Sequence, residues 1–371
     1  MAVVHYMICL LYCLAFGYSG RAQEGSVLLS KEQALEDFKW LRFALEFVHP
    51  RLYKYEDKKT VDARFDSLSR KISHPIPGLD FLALVSSANA AVRCGHLYTI
   101  PQNELAKEVL NKKVLPFHIK VLNEKIYSIN NCGDSAIPNG SQILSINGRS
   151  SQAILHAMLP NIATDGIIQT RKYRLMERYF NNLFQGFDLY YHLHVDRSDV
   201  FRIEYLPYGA SKRKTIILNG LQVDERAALL KERYHIDEQA WFKSPSPSFS
   251  INEQLRYAVL NVPRSFYDKN IDPDFDSLLR SAFRIVKEKR IQHLILDLRN
   301  NEGGSEYQQM ELMSYLYDQP FKLYQNIYLS HLDFRPLKPI VIERDTSQLV
   351  FNNDDAYMRK INENLWINNY E

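Results

Sequence analysis

Between residues 30 and 50 the apolar positions recur three and four apart: Ala34, Phe38, Leu41, Leu45 and Val48 share one face of a helix that stops at Pro50. Ser30-Lys-Glu-Gln33 ahead of them has the Ser-x-x-Gln form of a capping box, which marks the start. A second helix is predicted from Thr60, with Val61, Phe65, Leu68 and Ile72 on its face. A third runs from Asp80 through Phe81, Val85, Ala88 and Val92 to Gly95. Past Pro116 the period shortens to two, in His118-Ile-Lys-Val-Leu122 and Lys125-Ile-Tyr-Ser-Ile129, so strands replace helices, with a boundary near residues 101–113. Residues 201–205 and 215–218 add further strands, and Ser244-Pro-Ser-Pro-Ser248 has the composition of an exposed linker. Beyond it, residues 257–262 form a strand, and Asp272 and Pro273 cap a helix carrying Phe275, Leu278, Ala282, Ile285 and Val286. Residues 291–298 form a second strand, whose continuous apolar centre fits a parallel sheet covered on both faces and joined by a right-handed crossover. The predicted class is α/β multidomain.

Composition narrows the picture. A chain of 371 residues with 46% hydrophobic positions, 14 Gly and 15 Pro is globular, and long enough for two or three folded units. Its 46 basic residues nearly balance 43 acidic ones, and a formal charge of +3 spread along the chain argues against a nucleic-acid partner. Residues 7–19 are an apolar run of signal-peptide length, too short for a membrane helix of roughly 20 residues. Gly20 and Ala22 suit cleavage before Gln23, so residues 1–22 are expected to be an export signal. The product would be periplasmic, envelope-associated or secreted, with no integral membrane segment left. Two cysteines, Cys94 and Cys132, would remain, too few for a disulfide scaffold. No CxxC or HxxxH spacing occurs, so neither a metal nor a cofactor is expected.

In residues 137–148 a turn glycine, Gly140, precedes a buried strand and a second turn glycine, Gly148, and a helix follows over residues 151–159. That succession resembles the carboxyl half of a PDZ domain. The organisation expected is a helical domain at 27–105, a PDZ-like β-rich domain at 113–218 and an α/β core at 250–371.

Residues 294–304 leave a buried strand, turn on Gly303 and Gly304 and enter a helix at Ser305. Such a turn suits two roles. Its amides can hold a developing anion at the carboxyl end of a sheet, as in an oxyanion hole. Alternatively it simply closes against a capping box, Ser305-Glu-Tyr-Gln308, with no ligand at all. Asp297 and Arg299, two apart on the strand, are expected to form a structural ion pair, and Asn300 and Asn301 to fix the turn.

The tract Ile295-Leu-Asp-Leu-Arg-Asn-Asn-Glu-Gly-Gly304 resembles the signature of the tail-specific, or C-terminal processing, serine peptidases, with Glu302 where a third glycine is common. The order of segments is similar too: helical, then PDZ-like, then a crotonase-like α/β core, here partial. The resemblance implies hydrolysis of polypeptides at or near their C-termini. It also implies that a Gly303 or Gly304 amide donates to the tetrahedral oxyanion, with a second donor from the nucleophile's own backbone. Cys94-Gly-His-Leu-Tyr98 resembles the Asp-Gly-His-Thr element of relatives, departing from it at Cys94 and Leu97, and makes His96 the candidate general base. A histidine there equally suits contacts with the end of the preceding helix. A Cys94–His96 thiol pair lacks an orienting partner in the sequence.

Ser314, Ser330 and Ser347 lack the glycine-rich surroundings of the family's nucleophile. The expectation is a chain that stops before the catalytic half of its core and is inactive as it stands. The alternative is a non-catalytic, exported, PDZ-like protein that binds peptides.

Overall fold

A computed structural model describes residues 27–133, 137–177, 179–180, 184–236, 246–265, 272, 274–299, 301–341, 349–351, 357–363 and 365–368. The expected signal, residues 1–22, lies outside the described residues, as do Pro273, Asn300 and Ser347. The architecture is mixed α/β, and contacts divide it into two units, one of Met1–Glu238 with Tyr328–Glu371 and one of Gln239–Ile327.

In the first unit a short strand, β1 (Leu28–Leu29), leads into α1 (Lys31–Val48). The capping box forms: Ser30 Oγ accepts the Gln33 amide at 3.2 Å, and Gln33 Oε1 accepts the Ser30 amide at 3.0 Å. Helix α2 (Lys58–Arg70) starts two residues before Thr60, because the Asp57 carboxylate caps the Thr60 amide at 2.7 Å. After β2 (Ile76–Pro77), which pairs with β1, helix α3 (Gly78–Val92) is buried on nearly all sides. Phe81, Val85, Ala88 and Val92 pack with Phe38, Leu41 and Phe65 of the first two helices. Leu79 and Leu82 instead join the core of a β-sheet. A single amphipathic stripe was expected for this segment; an apolar surface all round lets it serve two cores.

Helix α4 (Asn103–Leu110) occupies the expected boundary. The sheet comprises β3 (His118–Leu122), β4 (Lys125–Ile129), β5 (Gln142–Ile146), β6 (Arg149–Ser150), β9 (Val200–Leu206) and β10 (Lys214–Asn219). Its antiparallel order is β10-β9-β5-β4-β3, with β6 paired to β5. Between β6 and β9 run α5 (Ser151–Met158), α6 (Thr170–Glu177), the small pair β7 (Tyr179–Phe180) and β8 (Phe184–Gln185), and α7 (Gly186–His194). Ile143, Ile146 and Ile203 of the sheet meet Ile154, Leu155, Phe187 and Leu189 of these helices in one apolar cluster. Helix α8 (Val223–Tyr234) drives Arg226 into the interior, where its guanidinium meets the Asp188 carboxylate at 2.7 Å and the Leu115 carbonyl at 3.2 Å.

The second unit has a three-stranded sheet, β11 (Ser248–Asn252), β12 (Tyr257–Asn261) and β13 (His293–Asp297). The first two are antiparallel; β12 and β13 are parallel, joined through α9 (Phe275–Glu288). Asp274, rather than Asp272, caps α9 by accepting the Ser277 amide at 3.1 Å. Asp272 is drawn instead to the buried Arg264 guanidinium, 2.5 Å away. The expectation that residues 291–298 are covered on both faces is not met. Leu294 and Leu296 pack against Leu260, Phe275 and Leu279, while Ile295, pointing the other way, is 50% exposed. Helix α10 (Glu306–Leu316) contributes Leu312 to this core.

Residues from 328 onward, read from the sequence with the 250–371 core, group by contacts with the first unit. There β14 (Tyr328–Leu329) pairs with β16 (Leu365–Asn368), which pairs with β15 (Met358–Asn362). Phe334, Leu337 and Leu349 pack on Ala44 of α1, and the His331 ring stacks on Phe47 at 4.0 Å.

Candidate functional site

In the second unit the carboxyl ends of β12 and β13 meet the start of α10. The Val262 amide donates to the Asp297 carbonyl at 2.9 Å, extending the parallel pairing. The chain from β13 then returns past Ser265: the Ser265 amide donates to the Gly303 carbonyl at 3.1 Å, and the Ser305 amide donates to the Ser265 carbonyl at 2.6 Å. Asn301 ties the turn together. Its Nδ2 donates to the Val262 carbonyl at 2.9 Å and to Ser265 Oγ at 3.0 Å, and its Oδ1 accepts the Gly303 amide at 2.8 Å.

The two glycines therefore differ. Gly303 has φ 94° and Gly304 φ 139°, both in the region that favours glycine. The Gly303 amide is already engaged by Asn301. Gly304 is exposed, and its amide has no acceptor among the described residues. Of the two donors the sequence offered, Gly304 is the one open to a ligand.

The bland alternative, a capping box at Ser305 and Gln308, does not form. Ser305 makes no side-chain cap bond to α10, since its backbone is bridged to Ser265. The Asp297–Arg299 pair does form and is bidentate, with Nε to Oδ1 at 2.9 Å and Nη2 to Oδ2 at 2.6 Å. The Arg299 guanidinium and amide hold the Asp297 carboxyl down at about 2. Both its oxygens are occupied, so this carboxylate has no base role to fill. Ser265 went unremarked in the sequence; its residue type gave no signal, and only the pairing of strand ends puts it against Asn301. Its hydroxyl is shared with Asn301, which makes it a support of the turn.

His96 lies in the first unit, on the turn that follows α3. The helix ends at Arg93 in left-handed conformation, φ 57°. The half-buried Cys94 and the exposed His96 and Asp165 bring one donor atom each within 4.8 Å of one another. Asp165 Oδ1 accepts the Gly95 amide at 2.8 Å. Burial pushes the Cys94 thiol up, the Asp165 charge adds to that, and the amides of His96 and Leu97 oppose it. Asp165 sits 70 residues from Gly95, so no local spacing announced it.

The edges of the larger sheet are unequal. On β3, Gln185 bonds both the amide and the carbonyl of Ile119 at 3.3 Å, and Glu177 accepts the Val121 amide at 2.9 Å, which closes that edge to an added strand. At the other end β10 pairs only with β9 among the described residues.

A parallel strand pair that ends in a glycine turn with an exposed amide makes this unit an α/β structure with its turn at the carboxyl ends of the strands. Residues 257–329, which hold all of this apart from β11, match peptidase family S41. The matched segment contains the 295–304 tract, and a match to a peptidase family implies a polypeptide substrate. No match to the chain is found among curated proteins. No helix among the described residues is long and apolar enough to cross a membrane.

Proposed function

We propose that this protein is an exported serine endopeptidase of the tail-specific type, acting near the C-termini of polypeptides. The observation that carries this is the open Gly304 amide at the strand ends of the S41 segment, where it can donate to a tetrahedral oxyanion. Asn301 and Ser265 hold that amide in place before any substrate arrives, so little reorganisation is needed as charge develops. The apolar run at residues 7–19 supports export. The hydroxyls of Ser314 and Ser330 are engaged by carbonyls: Ser314 Oγ donates to the Glu311 carbonyl at 2.7 Å and Ser330 Oγ to the Val48 carbonyl at 2.9 Å.

The test is reaction of the complete product of the reading frame with a fluorophosphonate, followed by peptide mapping. One labelled serine, with loss of peptide hydrolysis, is expected; an unlabelled protein would count against a serine peptidase. A peptide-binding role without catalysis is favoured by one observation, the open edge of β10 with Ile217 67% exposed, which suits strand addition. Binding of peptides by an unlabelled protein would support that role instead.

A further inference from the structure

We propose that Cys94, His96 and Asp165 form a three-ligand site for a thiophilic divalent cation, zinc above all. Their donor atoms already lie within 4.8 Å of one another. In a tetrahedral zinc site, with bonds of about 2.3 Å to sulfur and 2.0–2.2 Å to nitrogen and oxygen, neighbouring donors stand roughly 3.3–3.8 Å apart. The difference is small, and His96 and Asp165 are exposed, so side-chain rotation can close it.

The surroundings are those of a held ligand set. Asp165 uses Oδ1 to accept the Gly95 amide, which fixes the carboxylate and leaves Oδ2 for a cation. A Cβ at position 95 would stand 2.7 Å from Oδ2, so a larger residue there would push the carboxylate aside. The Asp165 loop is itself tied to the ligand turn, since the Gly166 amide donates to the Arg93 carbonyl at 3.0 Å. Arg93 is anchored by its ion pair with Glu56, which Arg64 also reaches at 2.8 Å. The Leu97 amide donates to the Cys94 carbonyl at 3.2 Å, which closes the turn that carries Cys94 and His96. Thiolate and carboxylate together neutralise a divalent charge. A set of sulfur, imidazole and carboxylate selects zinc over magnesium or calcium, which take oxygen ligands.

A thiol-protease triad accounts for the same residues less well. Asp165 is oriented by the Gly95 amide rather than by the imidazole. With three protein ligands and two of them exposed, the fourth position is open to water or to a ligand from outside. A cation there takes the lone pair of the His96 ring, so metal binding and a base role for His96 exclude each other. The site uses first-unit residues alone and stands whether or not a fluorophosphonate labels the protein.

The experiment is equilibrium dialysis of the chelator-stripped chain against zinc, with cobalt as a spectroscopic probe. One zinc per chain is expected, with a thiolate-to-cobalt charge-transfer band. Cys94→Ser should abolish the band and weaken zinc binding by more than about 100-fold, beyond the roughly 10–100-fold that loss of an outer partner costs. Asp165→Asn keeps the acceptor for Gly95, and His96→Gln alters an exposed residue, so both should fold and still bind more weakly. Cys132→Ala should bind as the parent does. Less than stoichiometric zinc in the parent, or a cobalt band that survives Cys94→Ser, would overturn the proposal.

Discussion

The two units cover their strands differently. In the first, Ile143 and Ile146 of β5 are fully buried within a cluster that draws on α3, α5, α7 and four other strands of the sheet. In the second, β13 leaves Ile295 half exposed, and the buried cluster consists of Leu260, Val262, Phe275, Leu279 and Leu312. What the second unit lacks in apolar burial it replaces with polar ties at the strand ends: Asn301 to Val262 and Ser265, and Arg264 to Asp272. The difference teaches that the glycine turn of the second unit is held in shape by hydrogen bonds, while the larger apolar cluster lies in the other unit.

Substitutions can break this contrast, and the largest effect is expected in the first unit. Arg226→Ala leaves the buried Asp188 carboxylate uncompensated and should cost about 3–5 kcal/mol. Segment-resolved hydrogen exchange in denaturant should show the loss over first-unit peptides and leave β12 and β13 unchanged. Leu260→Ala, in the central strand of the second unit, should cost about 2–4 kcal/mol there and leave β5 and β9 as they were. If either change lowered both units equally, the division would fail.

Asn301→Ala should cost about 1–3 kcal/mol in the second unit by stranding the Val262 carbonyl and the Gly303 amide. Peptide hydrolysis should fall by more than stability does, because Gly304 is then no longer held at a fixed angle. The smallest effect depends on pH. Burial, followed by the hydrogen bond and charge of Asp276, raises the Glu311 carboxyl to about 7 from the ordinary 4.5. The folded state therefore binds more protons than the unfolded one between those values, and second-unit stability should fall as pH rises through that window. Glu311→Gln should flatten the slope of stability between pH 5 and 8 by about the share due to one proton.

Local signals were the legible ones. The capping box at Ser30 and Gln33 spans three residues and forms as read, and so does the Asp297–Arg299 pair. Asp272 was expected to cap α9, but Asp274 does so, because Asp272 pairs with Arg264, a partner eight residues away in a buried setting. Ser305 and Gln308 have the form of a capping box, but the Ser305 amide is already given to the Ser265 carbonyl and no side-chain cap bond forms. The glycine turn was legible as a candidate anion site; which amide stays open was not, because Asn301 decides it through a side-chain bond. Asp165 was invisible for a related reason. It comes to Cys94 and His96 by long-range packing, and no motif spans the gap.

The central claim is that Gly304, and not Gly303, presents an amide ready to receive negative charge. Hydrogen exchange of the two glycine amides, resolved by NMR in the free protein, tests it most directly. Gly303 should be protected by its bond to Asn301 while Gly304 exchanges close to the rate of an unprotected amide. Equal protection at both, or protection at Gly304 alone, would contradict the account.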